Sequence, residues 1–305
     1  MREGRYGKIL SAGSRFPYDE PSINFAWGQL NSEMAYVPGG PVNLSNDTIT
    51  QVTDGFEVDT TQQERVHVSG LYLDRYCITN SDYMRFVESG GYDNPDLWPE
   101  HILEQVLHFN DRTEQPGPTT WQNGKPLKEY ANHPVTGICW FEANAYATWI
   151  GKRLPSSEQW QRAGIWTQTQ VNGGEPSYPW GNGFDQSKAR LWNHDSLHTA
   201  DVQQFPEGST SNGIHQLIGN VWEWVDSQFY PSTQPGITAN LHTVHAEIRG
   251  GAFDTYFPSQ ATCQFRTGQP ILRRAKNIGF RCCIDAADLI AENDSNESQE
   301  EGNLP

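Results

Sequence analysis

A chain of 305 residues with 37 acidic against 21 basic side chains carries a formal net charge of −16, which excludes nucleic acid and anionic membrane surfaces as general partners. The length is ample for a core, and 28 glycines, 19 prolines and 11 tryptophans argue for a loop-rich aromatic domain rather than a helical bundle. No apolar run reaches membrane-span length, the opening MREGRYGKILSAG lacks the apolar core of a secretion signal, and five cysteines without CxxC spacing give no disulfide framework, so a reduced, cytoplasmic chain is expected.

Residues 1–33 are polar and broken by Gly and Pro, and read as an irregular arm. Met34-Ala35-Tyr36-Val37 reads as a first strand, Ser45 to Gln63 as a Thr/Asp/Asn-rich loop, and Val66–Val68 and Leu71–Leu73 as alternating strands. Thr79 caps a helix from about Asn80 to Ser89, which Gly90-Gly91 stops. Tyr92 to Tyr130 is a long connection with a short helix between His101 and Phe109, pinned by Leu97, Trp98, Phe109 and Trp121; connections of this length usually carry function. Phe141 to Ile150 is a helix ended by Gly151, and Ser156 with Gln159 forms the capping box of another that ends near Gly164. Loop follows from Trp166 to Asn193, and Val202 to Pro206 reads as a short strand. From Asp285 onward there are seven acids and no Lys or Arg, the composition of a disordered tail.

The block from Ile214 to Cys283 organises the rest. Asn220 to Trp224 is strand-like: Trp222 and Trp224, two apart, share one face, and Glu223 lies on the other with Val221. A carboxylate in that position needs a cation, a metal or backbone N–H groups as partner. Gly250-Gly251 marks a bulge or a close backbone approach. Arg249 and Arg281, set among apolar residues, seek carboxylates or carbonyls.

GNVWEW at 219–224, RGGAF at 249–253 and NIGFR at 277–281, with HPVTGICWFEANAYATWIGKRLPSSEQWQRAG from His133 to Gly164 and YPWG at 178–181, resemble the formylglycine-generating enzyme, or sulfatase-modifying factor, family. The resemblance implies an α+β domain of the C-type-lectin-like kind, low in regular structure, over residues 34–284, between the arm 1–33 and the acidic tail 285–305. Oxidase members of that family hold copper through two cysteines that follow the RGG segment, a thiolate pair suited to Cu(I). Laid on that pattern, RGGAF puts Thr255 and Gln260 at the two positions, so copper is not expected and Cys263 is the single candidate for a catalytic thiol. The resemblance also implies Ca²⁺, held by the backbone carbonyls of Gly219 and Val221, the carboxylate of Glu223 and a side-chain oxygen of Gln216. The other reading of Glu223 is an arginine partner. His194, His198, His215, His242 and His245 lack the HxxxHxE motif through which related sulfoxide synthases hold iron, and read as plain polar residues.

Two functions follow as expectations. One is a binding or accessory module for a protein, peptide or glycan, with Trp98, Trp121, Trp180, Tyr256, Phe257 and Arg266 lining a groove. The other is a metal-dependent oxidase of the formylglycine-generating type acting on a protein cysteine or a small thiol.

Overall fold

Helices and short strands alternate in the computed structural model, which describes residues 6–13, 18–45, 48–52, 55–59, 63–172, 174–192, 197–230, 232–233 and 243–290. In chain order these are α1 (Tyr6–Leu10), α2 (Glu20–Glu33), β1 (Met34–Val37), β2 (Gly40–Ser45), β3 (Thr48–Val52), β4 (Gly55–Asp59), β5 (Gln63–Val68) and β6 (Leu71–Asp74). Then come α3 (Asn80–Glu88), α4 (Leu103–Val106), α5 (Trp140–Ile150), α6 (Ser157–Asn172), β7 (Trp222–Gln228), β8 (Ser232–Thr233), β9 (His245–Arg249), β10 (Arg266–Pro270), β11 (Ile278–Gly279) and β12 (Cys283–Asp285).

The sheet that matters for the site has the order β10-β9-β7-β11, with β11 parallel to β7 and the other pairs antiparallel. It brings the three motif segments together: Ile278 lies opposite Trp222, and Glu223 opposite Arg249. A second sheet, β1-β6-β12, links the first strand to the last. The larger apolar cluster packs α3, α5 and the 92–130 insertion on β7 and β9, through Tyr83, Phe86, Tyr146, Trp149, Trp224 and Phe280. A second cluster centres on Trp160 of α6 and includes Leu71, Leu73, Leu217 and Cys263.

Local signals hold at α3 and α5. Thr79 accepts from the Asp82 backbone N–H while the Asp82 side chain accepts from that of Thr79, and Gly151 ends α5 in the left-handed region at φ 78°. Four expectations are corrected. The 1–33 arm is not irregular: Asp19 caps α2 by accepting from the Ser22 N–H at 2.9 Å, Pro21 sits in its first turn, and Ala26, Trp27 and Leu30 bury a helical face against Tyr6, Leu10, Met34 and Ile284. Ser45 to Gln63 holds the β3–β4 hairpin, because threonine and valine suit a ladder even between Asp and Asn. α6 runs past Gly164 to Asn172, since that glycine is a site of close packing: a Cβ there would stand 2.7 Å from Cys263 Sγ. Val202 to Pro206 forms no strand; a turn there leads into a 3-10 helix at Pro206–Gly208, with Phe205 at φ 58°.

The acidic segment is ordered at its start. Ile290 N donates to Leu10 O at 2.8 Å and Ala12 N to Asp288 O at 2.8 Å, so residues 285–290 are tied to the arm. Residues 291–305 lie outside the described residues.

Candidate functional site

Glu223 projects from β7 toward α6 and is 1% exposed. Its carboxylate accepts from Trp160 Nε1 at 2.8 Å and from Arg281 Nε and Nη2 at 2.8 and 2.7 Å, and the Cys77 thiol donates to it at 3.3 Å. Arg281 also donates to the carbonyls of Asp74 and His215 at 3.0 and 2.8 Å. Burial works against the Arg281 charge, yet the adjacent Glu223 carboxylate holds its pKa above the usual value. Burial and the same carboxylate push the Cys77 thiol well up, so it stays protonated. Beside this pair, Arg249 lies over the Trp160 ring at 5.3 Å and donates to Glu247, Gln161 Oε1 and Cys263 O at 3.2, 2.7 and 2.8 Å. Arg249 of β9 and Arg281, between β11 and β12, thus end on carboxylates and carbonyls, and of the two readings of Glu223 the arginine partner is the one seen.

Gln216 and Asn220 both adopt positive φ, 51° and 65°, and their side chains meet. Gln216 Nε2 donates to the carbonyls of Asp201 and Gln204, both at 2.9 Å, while its Oε1 accepts from Asn220 Nδ2 at 2.7 Å. Asn220 in turn exchanges hydrogen bonds with the backbone of Ala200 at 2.8 and 3.0 Å. The residues implied for Ca²⁺ therefore do not fit a cation here. The Gln216 oxygen has a donor, its NH₂ occupies the carbonyls that face it, and Glu223 is turned to a guanidinium. A divalent ion needs several free oxygens at one place.

At the two positions implied for copper, Thr255 Oγ1 accepts the Ala252 N–H at 2.8 Å and Gln260 ends a 3-10 turn. Cys263 is fully buried, and burial pushes its thiol up to about 12. All five cysteines are free and buried, and among the described residues no group of three or more His, Cys, Asp or Glu side chains is placed to hold a metal ion. A thiol-specific disulfide reagent is therefore expected to titrate none of the five thiols in the native protein and all of them in guanidinium, read by absorbance; a fast-reacting native thiol would reopen the search for a nucleophile.

Histidines do not assemble into a centre. His215 packs at a tilt against Tyr76, 4.8 Å between ring centres, His198 is exposed, His245 sits in β9, and His194 and His242 lie outside the described residues. His133 and His215 are held below the ordinary value of 6.5 by burial, and His215 also by the charges of Arg281 and Arg75. A depressed histidine contributes stability that is complete above its unfolded pKa and lost as pH falls through its folded pKa. The urea midpoint is expected to decline with pH below about 6.5, and less steeply in His215→Gln than in the parent; parallel curves would remove His215 from the account.

The groove candidates separate. Trp98 and Trp121 are corrected to core residues, 6% and 1% exposed, with Trp98 Nε1 donating to Gly91 O. Trp180 stacks flat on Tyr178 at 5.0 Å, Arg266 sits on β10 with Glu247 at 3.7 Å, and Tyr256 and Phe257 form an exposed pair with Trp192. Trp121 alone of the six lines a pocket of about 360 Å³, lined by the 92–130 segment, the start of α3, Pro134 and Thr136, residues 197–199, Phe253 and Lys276. Arg112 and Lys276, which share that wall, were not legible in the sequence: they come from separate segments and belong to no motif.

Comparison with known proteins is consistent with this geometry. The family described as "Sulfatase-modifying factor enzyme 1-like domain" matches residues 25–286. Hercynine oxygenase of Mycolicibacterium smegmatis is 29% identical, across 93% of this chain and 67% of that protein. The mouse protein named inactive C-alpha-formylglycine-generating enzyme 2 is 27% identical, across 83% of this chain and 86% of its own. Among solved structures, PvdO from Pseudomonas aeruginosa aligns with a TM-score of 0.54 at 18% identity, covering 82% of this chain and 93% of that one, a likeness of fold.

Proposed function

The chain belongs to the sulfatase-modifying factor enzyme 1-like domain family, and from that premise we propose a binding or accessory module, on the C-type-lectin-like variant of the fold, for a protein, peptide or glycan. The observation that carries this reading is the chemistry at the two positions after RGGAF. Thr255 and Gln260 offer no thiolate, and Cys263, the nearest sulfur in sequence, is sealed beneath α6 with its proton held. A relative named as inactive supports a non-catalytic member of the same family. Five unpaired thiols favour a reducing compartment, the cytoplasm. Among the described residues no helix is long and apolar enough to cross a membrane.

The test is metal content by mass spectrometry after exposure to Cu(I), Fe(II) and Ca²⁺, with oxygen uptake followed in the presence of a cysteine peptide or a small thiol. Neither stoichiometric copper or iron nor oxygen uptake is expected. Bound copper or iron with oxygen consumption would replace this reading with the oxidase one. In the same series a chelator is expected to leave Tm unmoved, because the Gln216 amide already bridges the carbonyls around it. A rise in Tm with Ca²⁺ would put a cation back at Glu223 or Gln216.

A further inference from the structure

We propose that the pocket under the 92–130 insertion binds an aromatic carboxylate. This rests on the binding-module reading and gives it a ligand class. Two cavities of similar size have opposite charge. One, of about 370 Å³ beside Cys77, is lined by Glu33, Asp74, Asp82 and Asp201, and its two cations are neutralised by Asp82–Arg85 and Asp74–Lys152 pairs at 2.5 and 2.6 Å. The other, of about 360 Å³, has no Asp or Glu in its wall, although acids outnumber bases 37 to 21 in the chain.

That second wall carries Arg112 and Lys276, and among the described residues neither has a carboxylate within 4.0 Å. The contrast with Arg249, Arg274, Arg281 and Lys152 decides the matter: each of those is held by its own acid in the fold. Arg112 and Lys276, exposed at the mouth, are left for an anion from outside. Arginine and lysine there supply charge and N–H donors suited to a carboxylate.

The inner wall selects the rest of the ligand. Trp121 is 1% exposed and fixed by its Nε1 donating to Asn80 Oδ1 at 2.7 Å. Phe253 is 2% exposed, and Tyr130 packs edge-on against His133 at 4.9 Å. Trp121 and Phe253 each offer only a sliver of surface, so Leu127, Leu197 and Tyr130 complete an apolar wall that favours a flat apolar group by edge contact, with the hydroxyls of Thr120, Thr136 and Thr199 in the same lining. The volume suits one bicyclic ring with a short acidic arm. The chemistry is shared by a free aromatic acid and by the C-terminal aromatic residue of a peptide.

Three probes with one ring separate charge from shape: N-acetyltryptophan, its neutral amide, and tryptamine, titrated into the full chain by calorimetry. The acid is expected to bind about tenfold or more tighter than the amide, with no detectable binding of the amine. Its affinity should fall as salt rises from about 20 to about 300 mM. The Arg112→Glu and Lys276→Glu double variant, altered only at exposed positions, should lose about tenfold or more for the acid and little for the amide. A peptide ending in free Trp that binds tighter than N-acetyltryptophan identifies a chain terminus as the source; a weaker one identifies a free acid. Acid and amide binding alike, a preference for the amine, indifference to charge reversal, or no heat from any probe would each overturn the proposal. Such a failure in a protein that takes up no copper or iron leaves the module reading standing. Metal uptake with oxygen consumption, alongside intact acid binding, would do the reverse.

Discussion

Arg281→Met is expected to destabilise the fold by about 3–5 kcal/mol, the cost of removing one partner from a buried ion pair. Glu223 would keep Trp160 and Cys77 as donors but lose both guanidinium bonds, and the carbonyls of Asp74 and His215 would lose theirs inside a dry interior. Met matches the stem of the arginine, so little of the loss would come from a cavity. Glu223→Gln should cost a similar amount for the opposite reason, since a full positive charge would then lie buried against a neutral amide. The double variant Arg281→Met with Glu223→Gln is the discriminating measurement. With both charges gone, its urea midpoint should lie above that of either single variant. A double variant that costs the sum of the two would show that the pair is not a coupled unit.

Gly250→Ala should be nearly as damaging, by a steric route. Gly250 sits at φ 95°, and a Cβ built there lies 2.4 Å from Leu217 O and 3.1 Å from the Trp160 ring. Left-handed strain costs a non-glycine residue about 1–2 kcal/mol, and overpacking of a filled core about 1–3 kcal/mol more. The same residue accepts the Gly219 N–H at 2.9 Å, so the substitution would push the 214–219 loop away from the sheet and disturb the Gln216–Asn220 network. A Tm within a degree or two of the parent would show that the loop yields freely and that the close approach is not a constraint. Gly174→Ala, with nothing within 4 Å of its Cβ, is the matched control.

Features decided within a few residues were legible in the sequence. The Thr79 cap of α3, the Gly151 stop and the close approach at Gly250 depend on local chemistry, and each is found where the residues point. Family membership was equally legible, because several motifs stand in order along the chain. What escaped depends on distant partners. Glu223 announces that it needs a counter-charge, but nothing adjacent says that Arg281, 58 positions on, will supply it. Gly164 looks like a helix stop until Cys263 is seen packed against it. Aromatic residues are visible as such, yet Trp98 and Trp121 read identically in one dimension; only the fold buries both in one cluster and sets the second at the wall of a pocket. The cations at that pocket have no pattern at all, because their meaning comes from the carboxylates missing around them.

The backbone stitches between residues 10–12 and 288–290 have a mechanical consequence. Tension applied between these two points would load a short clasp in series with β12, so the clasp and that edge strand should part before the β10-β9-β7-β11 sheet is strained. The arm helices and the end of the domain would then separate from one another in one cooperative step, and the amides of Ala12 and Ile290 would exchange with solvent at a common rate while those of β7 stay shielded.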